Sequence, residues 1–346
     1  MSSPPLVSVV IPSFNRRHCL PRAIASVVAQ SHPALEIIVV DDGSTDGTAE
    51  WAAGFSCPVP FRFHPLERNM GAAAARNRGI DLAEGTYVAF LDSDDVWHPE
   101  KIARQLAALE ASGPRYGAAY TGIASLTEAG QPCGVSRATE AGDIRLALMN
   151  HNVVGSTSCA LVRRDLLKAV GGFVPTLKSC QDWELWVRLS AITRFACVPE
   201  LLTTLYIAPN GRITSSGRNR LTGHLYMYRT HLRHYFRDGS VDPALFTSTL
   251  GEIFVQMGRS DYGARLLGRN WRAKPRSVKR LALYLMARAG LGKARYFAVA
   301  EFLNRIEERL RPTALRAPEP GQPVPGGGPA SASAAREIQG GAPVAH

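Results

Sequence analysis

Over roughly the first 125 residues, short β-branched and aromatic runs alternate with Ala-rich stretches whose apolar positions recur at helical spacing. That alternation predicts βαβ units around a mostly parallel sheet. Strands are expected at Val7–Ile11, Glu36–Val40, Phe61–His64, Tyr87–Leu91 and Tyr116–Thr121. Helices are expected between them at Pro21–Gln30, Ala72–Ala83 and Pro99–Ala111, the last opening on Pro99 in a favoured first-turn position.

Beyond Thr121 the alternation gives way to a loop, a short helix near Ile144–Met149, a strand at Ser158–Val162 and a helix at Asp182–Leu189. In that last helix Trp183, Trp186 and Val187 fall at i, i+3 and i+4, the spacing of a stripe facing the core. From Asn219 to Arg311 the pattern is helical and rich in Arg, and from Pro312 onward Pro, Gly, Ala and Ser predominate, which predicts disorder. The expected division is an α/β unit over 1–215, a basic helical region over 216–311 and a disordered tail over 312–346.

With 346 residues and 45% hydrophobic side chains, the chain can bury a full core. Its six cysteines are scattered with no Cys-x-x-Cys pair, the usage of a reduced cytosolic chain and not of a disulfide framework or zinc site. The start, Met1-Ser2-Ser3-Pro4-Pro5, lacks the layout of a signal peptide, and no stretch approaches the roughly 20 apolar residues of a spanning helix. The expected location is therefore cytoplasmic.

Charge changes that picture. The net +11 divides into −2 over residues 1–200 and +13 over 201–346. Such asymmetry points to an anionic partner, either lipid headgroups at the inner membrane face or a polyanionic substrate; nucleic acid would fit the charge but has no supporting motif. Between Arg269 and Arg280 lie six cations and no acid, followed by the apolar Leu281–Met286. That order suits a peripheral helix on an anionic membrane, or a solvated helix face, and the two readings stand side by side.

The chemistry concentrates where strands end. Leu91-Asp92-Ser93-Asp94-Asp95 follows an apolar run. One acid would suffice to cap the next helix, whereas three together repel one another unless a cation compensates, so the cluster reads as a site for Mn²⁺ or Mg²⁺ holding a diphosphate. Val40-Asp41-Asp42-Gly43-Ser44 is a turn by composition, but its place at a strand's carboxyl end makes Asp42 a candidate for recognising a nucleoside. In Gly71–Gly79 the alanines suit close packing, and Arg76 one turn into the helix suits anion binding. Asp182 is either the cap of its helix or a general base.

Together, Val7 to Arg16, Val39 to Asp46, Gly71 to Gly79, Phe90 to Asp95 and Gln181-Asp182-Trp183 resemble, in order and spacing, the family 2 glycosyltransferases. The resemblance covers about residues 6 to 215. It implies a GT-A fold with a nucleotide-diphosphate-sugar donor, UDP-sugar favoured, a divalent metal and inversion at the anomeric carbon. Carried over by position, Asp42 would hold the nucleobase in a pocket lined by Pro12, Phe14 and Asn15. Asp92 would contact ribose or sugar, Asp94 assisted by Asp95 would ligate Mn²⁺ or Mg²⁺, and Asp182 would be the base.

Two departures stand out. Many relatives carry Glu where this chain has Gln181, and losing that charge would tend to lower the pKa of Asp182. After Tyr206 the Tyr-Arg and histidine of many relatives are missing, and Arg212 would serve the diphosphate instead. The acceptor implied is a glycan or a lipid-linked glycan of the cell envelope. Other classes considered are a sugar-phosphate nucleotidyltransferase, which would want a Gly-rich basic loop where Pro12-Ser13-Phe14-Asn15 stands, and a non-catalytic nucleotide-binding relative. A dinucleotide oxidoreductase lacks its Gly-x-Gly-x-x-Gly.

Overall fold

The computed structural model describes residues 3–207, 216–273, 275, 277–290, 296 and 299. Arg212 and the tail from Pro312 lie outside the described residues. The α/β part runs β1 (Val7–Ser13), α1 (Leu20–Val28), β2 (Leu35–Asp41), α2 (Thr48–Ala53), β3 (Phe61–Pro65), α3 (Ala72–Leu82), β4 (Tyr87–Phe90) and β5 (Val96–Trp97). It continues through α4 (Lys101–Ser112), β6 (Tyr116–Thr127), β7 (Pro132–Ser136), α5 (Arg145–Asn150), β8 (Ala160–Arg163), α6 (Arg164–Ala169), α7 (Gln181–Ser190) and β9 (Arg194–Ile207). Helices α8 (Gly217–Met227), α9 (Arg233–Arg237), α10 (Ala244–Gln256), α11 (Ser260–Ala273) and α12 (Val278–Arg288) follow.

The strands form one sheet in the order β3-β2-β1-β4-β8-β6-β9-β5, with β7 pairing β6. Pairing is parallel from β3 through β4, antiparallel on both sides of β8, and parallel again between β6 and β9. Every residue of β1 is buried, as its continuous β-branched run requires of a strand covered on both faces. Because β1, β2 and β4 run in parallel register, their carboxyl ends share one edge, and Asp41-Asp42 and the Asp92–Asp95 loop leave the sheet there.

Alternate residues of β1 and β2 feed two cores. Val9, Ile11, Ile37 and Val39 pack with Leu20 and Ile24 of α1 and Ile102 of α4. Val10, Ile38 and Val40 face the other way, toward Ala73, Ala75 and Ile80 of α3 and Trp183 and Trp186 of α7. Helix α3 approaches so closely that a Cβ on Gly79 would sit 2.2 Å from Val10 Cγ1. Met227, Leu232 and Phe246 of the C-terminal helices join that second core, while Val255, Leu267, Leu283 and Met286 make a separate one among α10, α11 and α12.

The six expected strands are present, that at Tyr116 extended to Thr127 and that expected from Ser158 beginning at Ala160 as β8. Strand β9 was not expected, since Pro199 and Glu200 interrupt its pattern. The sheet accommodates them as a bulge, where β6 advances from Thr121 to Gly122 while β9 advances from Val198 to Leu201. Short β5 and β7, and helices α2 and α6, also escape the periodicity. Among the described residues no helix is long and apolar enough to cross a membrane.

Candidate functional site

At the carboxyl edge of the sheet, the loops after β1 and β2 are stitched together. Asn15, in left-handed conformation at φ 53°, accepts from Thr45 N through Oδ1 at 2.8 Å, and its own N–H donates to Ser44 Oγ at 2.8 Å. Asp41 accepts from Ser44 N at 3.0 Å and so holds the turn. The buried Asp42 carboxylate takes Met70 N at 2.6 Å and Gly71 N at 2.8 Å, fastening the loop that opens α3. Each of its oxygens keeps a second lone-pair direction. Pro12 is buried, whereas Phe14 is 44% exposed.

The three acids of the β4–β5 loop meet three different partners. Asp92 accepts from Arg76 Nη2 at 2.6 Å and from Thr157 Oγ1 at 3.4 Å. Asp95 is buried and accepts from Ser158 Oγ at 2.6 Å. Asp94 stands at the rim, its side chain 34% exposed, with Arg16 Nη2 at 3.9 Å and its backbone carbonyl accepting from Arg22 Nη2 at 3.1 Å. Among the described residues no group of three or more His, Cys, Asp or Glu side chains converges on a point where a metal could sit. The three acids thus take different partners, and Asp95, expected to assist Asp94, accepts from Ser158 in the loop's interior. A divalent ion that takes few protein ligands and fills its shell with phosphate oxygens and water still fits such a rim.

Beneath the loop lies a layer that sequence reasoning missed. Ser158 Oγ also accepts from Asp92 N at 3.1 Å, and Ser158 O accepts from Trp97 Nε1 at 2.7 Å. Lys101, fully buried, lies over the Trp97 ring at 4.1 Å and donates to Gln105 Oε1 at 2.8 Å, and burial lowers its pKa to about 7. A lysine on a helix reads from sequence as solvated, so only the fold reveals it.

Arg76 joins this acidic loop to α7. Its side chain is 8% exposed, and while Nη2 meets Asp92, Nη1 donates to Gln181 Oε1 at 3.0 Å. Arg76, expected to bind an anion, braces the two motifs. The adjoining Asp182 is half-buried; Oδ1 takes the N–H of Trp183 at 2.8 Å and Oδ2 takes Asn152 Nδ2 at 3.0 Å. Cys180 before it is left-handed at φ 61°, which turns the chain into the helix. Burial raises the Asp182 pKa above the ordinary carboxylate value, with Asp92 adding to the rise and Arg76 opposing it. The lowering expected from a neutral Gln181 is outweighed by this desolvation. On the side of Asp182 toward the C-terminal helices opens a cavity of about 290 Å³.

Residues 8–171 match the family model of glycosyl transferase family 2. The chain is also 37% identical over 188 residues to the putative teichuronic acid biosynthesis glycosyltransferase TuaG of Bacillus subtilis (strain 168), a match covering 54% of this chain and 72% of that one. The chain belongs to glycosyltransferase family 2. This glycosyltransferase is also 36% identical over 122 residues to the succinoglycan biosynthesis protein ExoO of Rhizobium meliloti (strain 1021), covering 35% of each. Its fold is that of GT-A glycosyltransferases. S. aureus TarS 1–349, solved in complex with UDP-GlcNAc, superposes with a TM-score of 0.54 at 20% identity over 87% of this chain and 92% of that one. The mannosyltransferase PcManGT of Pyrobaculum calidifontis, solved with GDP-Man and Mn²⁺, gives 0.52 at 20% identity over 88% of each. Asp182, and the helices that close the cavity beside it, lie beyond the residues the family model matches.

Proposed function

We propose that this glycosyltransferase transfers a sugar from a nucleotide-diphosphate donor, a UDP-sugar by preference, to an acceptor hydroxyl with inversion at the anomeric carbon. The observation that carries the reading is the Arg76 brace, which holds Asp92 and the Gln181-Asp182 helix start to one crevice at the sheet's carboxyl edge. Phe14, Asn15 and Asp42 serve the nucleobase side, and Asp92 the ribose or sugar. Asp182 accepts the proton of the acceptor hydroxyl as that oxygen bonds to the anomeric carbon from the face opposite the leaving group. The nucleoside diphosphate departs with the electron pair of the broken bond. A raised pKa makes the Asp182 carboxylate a stronger base.

Asp94 would hold Mn²⁺ or Mg²⁺, which when bound neutralises charge on the diphosphate. The test is metal-dependent donor binding, which should weaken in Asp94→Ala; binding unchanged by that substitution in the presence of Mn²⁺ would refute the assignment.

The product belongs, on this reading, to a cell-envelope polysaccharide, as the names TuaG and ExoO support. The +13 charge of residues 201–346 favours a cytoplasmic enzyme that touches the anionic inner face of the membrane. Flotation with liposomes tests that contact: recovery should rise with anionic lipid, and equal recovery without it would exclude the contact.

A further inference from the structure

The cavity beside Asp182 is closed by elements that the family model does not reach. Asn152 and Asp182 lie on one side, and Arg220 and His224 of α8 with Phe246 and Thr249 of α10 on the other. Its volume of about 290 Å³ stands at the lower end of the roughly 300–1,000 Å³ span of ligand pockets, room for one sugar unit.

The wall chemistry suits a sugar. The His224 ring centroid lies 5.9 Å from that of Trp183 and 5.9 Å from that of Phe246, an aromatic group against which the C–H face of a pyranose can rest. His224 Nδ1 lies 2.8 Å from Arg220 O and donates to it, which leaves Nε2 as an acceptor. Desolvation lowers the pKa of His224 and of His151, so both rings at the cavity are neutral at pH 7.

The charges that remain in the lining are Asp182 and Arg220. Arg220 Nη1 donates to Gln256 Oε1 at 2.6 Å, which fixes the guanidinium, and Glu252 acts on it through space. A carboxylate able to take a hydroxyl proton thus shares a one-sugar cavity with a positioned cation.

We infer that this cavity is the acceptor subsite and that Arg220 selects an acceptor sugar bearing an anionic group, a carboxylate or a phosphate. The assignment rests on the transferase reading above for the role of Asp182, and adds to it the class of acceptor. A guanidinium pairs with either anion through two parallel N–H bonds, and a neutral sugar leaves that capacity unused.

Equilibrium binding to the full chain at saturating UDP tests it without requiring turnover. The probes are methyl glucuronide and methyl galacturonide for the carboxylate arm, hexose 6-phosphates for the phosphate arm, and methyl glucoside and methyl galactoside as neutral controls. At least one anionic arm should bind roughly ten- to hundredfold more tightly than the neutral sugars, and Arg220→Gln should erase that preference. Thr249→Glu, which sets an opposing charge in the lining without touching the Arg220 fold contacts, should erase it too. Equal binding of neutral and anionic sugars, binding of neither anionic arm, or a preference that survives both substitutions would overturn the inference. Release of nucleoside diphosphate from donors is measured in parallel. Turnover without anion preference overturns the acceptor assignment alone, and anion-selective binding without turnover on any donor and acceptor overturns the transferase reading instead.

Discussion

Arg76 Nη1 donates to Gln181 Oε1 at 3.0 Å, and the same guanidinium holds Asp92 at 2.6 Å, so one buried cation spans the β4–β5 loop and the helix that carries Asp182. The amide faces Arg76 with its oxygen because its nitrogen donates to Leu177 O at 2.6 Å. A neutral partner here leaves Asp92 as the carboxylate that pairs with Arg76 and keeps a second negative charge away from Asp182.

Gln181→Glu restores the acid that many relatives carry. A carboxylate beside Asp182 disfavours its ionised form, so the acidic limb of kcat/KM should move upward by roughly 0.5–1 pH unit. The profile is read on one donor and acceptor pair, and an unmoved limb would show that Gln181 braces the helix without tuning the base.

Asp182→Asn should stabilise the fold at neutral pH. Burial raises the folded-state pKa above the unfolded value, so between the two values the native state binds more protons and stability falls as pH rises. Above the folded pKa the full penalty is present, and an amide removes it, its single oxygen keeping the bond from Asn152 while that from Trp183 N is given up. The melting temperature at pH 7 should rise by roughly 1–3 °C while no gain appears at pH 3, where the carboxyl is protonated in both states. A loss of stability at pH 7 would contradict the cause assigned to the shift.

Lys101 gives the opposite pH dependence. Its folded pKa of about 7 lies below the ordinary lysine value of 10.5, so above pH 7 the unfolded chain binds the extra proton and stability climbs with pH until the unfolded value is passed. Lys101→Met removes the titration at the cost of the Gln105 bond. The gain in melting temperature between pH 6 and pH 9 should shrink in the variant, and an identical gain would place the responsible group elsewhere.

Gly79→Ala tests the closeness of α3 to β1. With Val10 Cγ1 at 2.2 Å from the new Cβ, the helix must shift, and overpacking of about 1–3 kcal/mol should outweigh the roughly 1 kcal/mol that alanine gains in helix propensity. Chemical denaturation would read a net loss; a gain would mean that the helix rides up freely.

The parallel half of the sheet was legible because buried central strands are written as unbroken β-branched runs, as in Val7–Ile11 and Glu36–Val40. Strand β9 was not, because a bulge absorbs Pro199 and Glu200 and no period of two survives it. The acids were legible as a candidate site, but their separate partners were not. Sequence shows that Asp92, Asp94 and Asp95 are neighbours, and only the fold shows Ser158 claiming Asp95 and Arg76 claiming Asp92. The cavity at Asp182 joins α8 and α10 to a loop some seventy to a hundred residues earlier, a contact that no local pattern encodes.

The central claim is tested most directly by nucleoside-diphosphate release from UDP-, GDP- and dTDP-sugars, with and without Mn²⁺, in the wild type, Asp94→Ala and Asp182→Asn. Base catalysis contributes roughly 10²–10⁴-fold, so Asp182→Asn should lose that much turnover and still bind donor, while Asp94→Ala should lose the metal response. Full turnover in Asp182→Asn would contradict the account.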